Sequence, residues 1–124
     1  RFALEESTKK NGTLYYYNES HKVGIQPHIP SSTPGTSQKI ENIKILNFFK
    51  VQTPSLSVGD ILIHQSAVIH GSTKNLSNKS RMGLNLRYIP KNSKINYFLK
   101  KNYENNLKIS RKLNKKWLQI NFMI

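Results

Sequence analysis

The chain has 124 residues, long enough for one domain with a real core, yet only 36% are hydrophobic, against roughly 45–50% in ordinary globular chains. It holds no cysteine, which excludes disulfides and thiolate metal sites, and no run approaches the ~18 apolar residues of a membrane span. The formal net charge is +14, from 20 Lys and Arg against 6 Asp and Glu. The first residue is Arg1 rather than Met, so the chain is expected to be a segment of a longer protein. No targeting signal is visible, and a cytoplasmic location is the expectation.

Arg1 to Leu4 reads as the end of a strand, Glu5 to Lys10 as polar, and Asn11-Gly12 as a hairpin signal. Thr13 to Tyr17, β-branched and aromatic, predicts a strand. His21 to Gln38 is rich in Pro, Ser, Thr and Gly without periodicity and predicts a long loop, a candidate lid. Ile40 to Thr53 is apolar enough for one or two strands, and the turn at Gly59-Asp60 leads into a strand at Ile61–His64. From Arg81 the residues alternate, with Met82, Leu84, Leu86 and Tyr88 on one face and Arg81, Gly83, Asn85 and Arg87 on the other, which predicts a strand ended by Pro90. Residues 92–103 are ambiguous, and residues 105–119 predict a helix with Leu107, Leu113 and Trp117 near helical spacing.

The charge concentrates in the tail, where residues 91–124 carry nine basic side chains against Glu104. Lys, Asn and Ile together supply 43 of the 124 residues, a skew typical of AT-rich coding sequence that spreads lysine over a surface without selection for a partner. A solvated tail helix is the simpler reading, and a patch attracting an acidic substrate or partner is the other. Nucleic-acid binding is disfavoured, because the aromatics do not interleave with lysines on one face.

The densest chemistry lies between Gly59 and Arg81. An arginine and a glycine that point the same way from one strand leave room for a planar anion above the glycine, and arginine holds a carboxylate bidentately. His70 stands at the end of the preceding strand. Taken alone it reads as structural; Gly71-Ser72 beside it and Arg81 beyond it favour a metal ligand near an anion.

These residues resemble the phytanoyl-CoA dioxygenase family of iron(II)- and 2-oxoglutarate-dependent oxygenases. The resemblance rests on Leu56-Ser57-Val58-Gly59-Asp60, Ile63-His64, His70-Gly71-Ser72, Asn75, Ser77 and Arg81, with Arg81 eleven residues after His70. A second block agrees: Ala3-Leu4-Glu5-Glu6, Asn11-Gly12-Thr13-Leu14 and Ser20-His21-Lys22-Val23-Gly24. One departure is Asn18-Glu19 where the family pattern has Pro-Gly, which leaves the turn conformation open.

The resemblance implies a mainly β fold, a partial double-stranded β-helix (a jelly roll) over residues 1–90, with a basic, partly helical tail over residues 91–124. It implies His70 as the distal iron(II) ligand, Arg81 as partner of the far carboxylate of 2-oxoglutarate, and Ser72 as a hydroxyl assisting there. The substrates are a small molecule and dioxygen. Asn75 and Ser77 are expected to shape the connection by local hydrogen bonds. His64 reads as a packing residue, His21 as a turn cap and His28 as solvated. The family's other metal ligands form a His-x-Asp pair, which this sequence lacks: its histidines are followed two positions on by Val23, Pro30, Ser66 and Ser72. The chain by itself is therefore expected to be inactive. A non-catalytic jelly-roll binding module and a halogenase of the same fold remain alternatives.

Overall fold

The computed structural model describes residues 1–33 and 36–121, with side chains described up to residue 115. The chain divides into two compact units, each discontinuous in sequence. One comprises Arg1–Ile25 and Lys44–Ile89; the other unites Gln26–Ile43 with the chain from Pro90 onward.

In the first unit, β1 (Phe2–Ala3) pairs antiparallel with β7 (Gly83–Leu84), while Phe2 also bridges Ile61. A second sheet has β2 (Leu14–Tyr17) at its centre, with β5 (Val51–Gln52) and β6 (His70–Ser72) antiparallel on either side. The run of Leu and three Tyr takes the central place because aromatic side chains pack well on a pleated, covered surface. Tyr16 is buried in this strand, and Ala3 and Ile69 join it as the buried apolar residues.

Much of the interior is polar, and it is held by side-chain hydrogen bonds. Ser20 Oγ donates to Tyr17 O (2.7 Å) and accepts from Ile69 N–H (2.8 Å), tying β2 to the segment before β6. Ser7 Oγ donates to Thr13 Oγ1 (2.8 Å), which donates to Pro54 O (3.1 Å). Asn11 Oδ1 accepts from Thr8 N–H and its Nδ2 donates to Glu6 O, shaping the turn that Gly12 completes at φ 80. The turn forms as expected, but no hairpin does: β1 and β2, on its two sides, belong to different sheets. At Asn18-Glu19 the question left by the sequence resolves simply. Glu19 adopts φ 60, ψ 4, the left-handed geometry in which glycine is at ease, and its carboxylate meets Lys22 Nζ at 2.6 Å.

Two strand expectations need correction. Ile61–His64 pairs only at its start: Arg1 and Leu62 exchange backbone hydrogen bonds and Ile61 bridges Phe2, but no ladder continues to His64. The predicted Met82 strand is regular only at Gly83–Leu84, since β1 offers just two residues to pair with. Of its two faces, Arg81 and Gly83 are half-buried whereas Met82, Leu84, Leu86 and Tyr88 are exposed. Between Ile40 and Thr53 one of the one or two expected strands forms, the short β5, after a 3₁₀ helix, Ile43–Phe48.

In the second unit, the predicted loop contains a hairpin of β3 (His28–Pro30) and β4 (Gln38–Ile40), in register His28↔Ile40 to Pro30↔Gln38. His28 is accordingly half-buried in a strand rather than solvated. Helix α1 (Tyr97–Asn121) packs on this hairpin. It starts earlier than the sequence suggests because Asn96 caps it, Oδ1 accepting from Leu99 N–H at 3.1 Å. Its covered stripe is Asn106, Leu107, Ser110 and Asn114, at helical spacing but mostly polar. Asn106 Nδ2 donates to His28 O (3.0 Å), and the buried Ser110 hydroxyl sits between Ser31 O (2.8 Å) and Thr36 O (3.0 Å). Leu113 points to solvent, and the side chain of Trp117 lies outside the described residues. The helix meets the hairpin by satisfying loop carbonyls rather than through a leucine seam.

Candidate functional site

The pairing of β2 with β6 places Tyr16 opposite His70, Tyr15 opposite Gly71 and Leu14 opposite Ser72. Because side chains alternate along a strand, His70 and Ser72 share a face with Leu14 and Tyr16. The Tyr16 and His70 rings stack with centroids 5.7 Å apart and planes 27° apart. His64 closes the cluster, its ring centroid 5.1 Å from Tyr16 and 5.0 Å from His70. His70 and Ser72 are exposed beside the buried Tyr16.

The tautomer of His70 follows from its neighbour. Nδ1 lies 2.8 Å from Val68 O, and a carbonyl can only accept, so Nδ1 carries a proton and, in the neutral ring, Nε2 keeps its lone pair. This is the form in which an imidazole binds a metal, with the carbonyl fixing the ring. His64 is held the same way by Gln65 O at 3.0 Å.

Arg81 is positioned by Glu5. The Glu5 carboxylate accepts from Ser80 Oγ (2.8 and 2.9 Å to its two oxygens) and from Met82 N–H (2.6 Å), gripping the residues on both sides of Arg81. Backbone bonds from Leu4 and Glu5 N–H to Met82 O add to the grip. Downstream of His70 the connection is shaped by Asn75, as expected: Oδ1 accepts from Ser77 N–H and Oγ–H, and Nδ2 donates to Lys79 O at 2.7 Å. The tight passage at Gly12 belongs to this connection, since a Cβ there would lie 2.8 Å from Thr73 O.

The half-buried Arg81 guanidinium leaves Nη1 buried without a hydrogen-bond partner. Burial lowers its pKa, and the charge of Arg1 lowers it further, while Tyr16 acts in the opposite direction. Tyr16 feels the complementary influences: burial pushes its phenol up, and the Arg1 and Arg81 charges pull it down. Tyr16 thus has its ring against His70, and its phenol feels the charge of Arg81. The space above Gly83, expected to admit a planar anion, holds a planar cation instead. A Cβ at Gly83 would lie 2.7 Å from Arg1 Nη2 and 2.8 Å from Arg1 Nε.

Sequence reasoning missed Tyr16, Glu5 and Arg1. The signal for Glu5 was present in the Ala3–Glu6 block, but only as a motif without a role. Asp60 serves its turn, accepting from Ser57 N–H at 2.8 Å. His21 lies within a 3₁₀ turn, Ser20–Val23, capped by Glu19 and Gly24 rather than by its own side chain. Among the described residues no group of three His, Cys, Asp or Glu could hold a metal ion. No helix among them is long and apolar enough to cross a membrane.

Residues 1–83 match the family model described as Phytanoyl-CoA dioxygenase (PhyH), which covers every site residue above and indicates an oxygenase-like domain. The chain belongs to the phytanoyl-CoA dioxygenase family. Phytanoyl-CoA dioxygenase domain-containing protein 1 of Bos taurus is 38% identical over 84 residues, 64% of this chain and 28% of that protein. The chain therefore spans well under half the length of that relative. No solved structure matches it.

Proposed function

We propose that the chain supplies part of the active site of an iron(II)- and 2-oxoglutarate-dependent oxygenase that hydroxylates a small molecule using dioxygen. Arg81 binds the far carboxylate of 2-oxoglutarate, Ser72 assists from the same sheet face as His70, and His70 gives one iron ligand. The observation that carries this reading is the buried, unpartnered Nη1 of Arg81. A guanidinium left without an acceptor in a partly buried place is suited to an acceptor-only, planar anion.

The residues fit the two groups unequally. For 2-oxoglutarate, Arg81 provides a fork of donors and the field of a full positive charge, held in place by Glu5. For iron, His70 has its lone pair free on Nε2, but a facial triad needs two further ligands that the described residues do not provide. They would come from a His-x-Asp pair outside residues 1–124. When bound, iron and 2-oxoglutarate would supply the activation of dioxygen. This chain's residues anchor one end of the cosubstrate, orient it on the face of β2 and β6, and hold one coordination position.

The same proposal takes residues 1–90 as part of a double-stranded β-helix, a reading that the small antiparallel sheets support, and residues 91–124 as a basic tail. The test is succinate release from 2-oxoglutarate with and without iron(II), by the 124-residue chain and by a longer protein carrying His-x-Asp. The longer protein should turn over only with iron and lose turnover on His70→Ala. Iron-dependent turnover by the 124-residue chain alone would refute the ligand assignment.

A further inference from the structure

An amphipathic helix ordinarily buries its apolar stripe and leaves its polar residues in water. Helix α1 does the reverse. Asn106, Ser110 and Asn114, four residues apart and so on one face, form its covered side, where Asn106 donates to His28 O and the Ser110 hydroxyl lies between Ser31 O and Thr36 O. Phe98, Ile109 and Leu113 stay outside, 72%, 48% and 41% exposed. Their spacing sets them along one flank of the helix.

The side opposite the covered face is basic. Lys101, Lys108 and Lys115 follow one another at two-turn intervals and lie on one line, with Arg111 and Lys112 a turn beyond Lys108, and all five are exposed. Glu104 is the only acidic residue in the sequence of the helix, and it pairs with Lys100 at 3.9 Å. The ion pairs among the described residues, Lys22–Glu19 and Lys100–Glu104, include none of the five.

An AT-rich skew raises the number of lysines, but it does not decide that asparagine and serine are covered while phenylalanine, isoleucine and leucine are not. Exposed apolar side chains grouped beside charged ones mark a surface that another body covers. The lysines set the sign of that body, which is anionic. The apolar flank narrows its kind. Duplex nucleic acid offers a lattice of phosphates and little to take up Phe98, Ile109 and Leu113, whereas a phospholipid surface takes both, lysines among its headgroups and apolar side chains just beneath them. No helix among the described residues is long and apolar enough to cross a membrane, so this contact lies along the surface and does not span it.

We propose that the outward face of α1 docks on an anionic phospholipid bilayer, with Lys101, Lys108, Lys112 and Lys115 at the headgroups and Phe98, Ile109 and Leu113 at the acyl boundary. The face lies beyond residues 1–83, which carry the family match, and the inference does not depend on the oxygenase reading.

The experiment is sedimentation of the complete protein with vesicles of phosphatidylcholine alone and of an equal mixture of phosphatidylcholine and phosphatidylserine. Wild type should bind the mixed vesicles, less as salt rises, and leave the neutral ones. Changing Lys101, Lys108 and Lys115 together to Gln, which keeps helix propensity, should weaken that binding by on the order of a hundredfold, the combined worth of three lysines near an anionic surface. Arginine at the same three positions should retain it. Removing equal charge from the other unit, by Lys9→Gln, Lys10→Gln and Lys74→Gln together, should leave it nearly unchanged. Ile109→Ala with Leu113→Ala should weaken it at unchanged charge. Wild type left in the supernatant with mixed vesicles, or pelleting equally with neutral ones, overturns the inference. Equal loss in the two glutamine triples does so too, because net charge alone then explains the binding. If Ile109→Ala with Leu113→Ala binds like wild type, the face takes any polyanion, duplex DNA included, and the lipid assignment fails.

Discussion

Removing the Glu5 carboxylate isolates the device that positions Arg81. Glu5→Ala deletes two hydrogen bonds to a charged acceptor, one from the Ser80 hydroxyl shared between both oxygens and one from Met82 N–H at 2.6 Å. Bonds to charged groups contribute about 1.5–3 kcal/mol each when shielded, but Glu5 is only half-buried, and solvent reduces each to something nearer 0.5–1 kcal/mol. The expected loss is therefore about 1–2 kcal/mol of unfolding free energy. Urea unfolding followed by circular dichroism should show a lower midpoint with an unchanged slope, because the surface exposed on unfolding is nearly the same. Glu5→Gln should lose less, since its amide oxygen can still accept one of the two bonds. A Glu5→Ala loss within about 0.5 kcal/mol, the range of ordinary surface substitutions, would show that the clamp is not formed in solution.

Gly12→Ala should destabilise by at least roughly 1–2 kcal/mol, because φ 80 disfavours any Cβ and the new methyl would lie 2.8 Å from the backbone oxygen of Thr73; an unchanged urea midpoint would contradict the geometry of that turn. Ser20→Ala strands the Ile69 N–H in a buried place and should cost about 1–3 kcal/mol, read from the same denaturation curves, with Ser20→Thr as the variant that keeps the hydroxyl. Tyr16 gives a pH prediction. Its folded-state pKa lies above the usual value of 10.0, so the stability it contributes is complete below that value and is lost as pH rises through the folded pKa. Unfolding midpoints measured from neutral to strongly alkaline pH should fall more steeply for wild type than for Tyr16→Phe, and parallel curves would contradict the burial of the phenol.

The family motif was legible because its spacing survives in the letters. Gly59-Asp60, His70-Gly71-Ser72 and Arg81 marked the site-bearing region, and Asn75 and Ser77 make the local bonds that their short polar side chains suggest. What was not legible depends on pairing between distant segments. Alternation at Arg81–Tyr88 signalled a two-faced strand, but which face is covered depends on what lies beside it, and Arg1 covers the polar one at Gly83. Tyr16 was one tyrosine of three in a strand until the register with β6 set it against His70. The hairpin at His28–Ile40 was hidden because proline, serine and threonine suppress periodicity, while a polar helix stripe at Asn106 and Ser110 supplies the bonds that hold it. The helix start at Tyr97 was set by the Asn96 cap rather than by apolar spacing.

Binding of 2-oxoglutarate to the complete protein, compared between wild type and Arg81→Lys, tests the proposed anchor most directly. Lysine keeps the charge but loses the fork, so the affinity should fall by about 1.5–3 kcal/mol, whereas Lys74→Ala, a substitution at an exposed lysine, should change little. Equal affinity in wild type and Arg81→Lys would contradict the assignment of Arg81 as the residue that holds the cosubstrate.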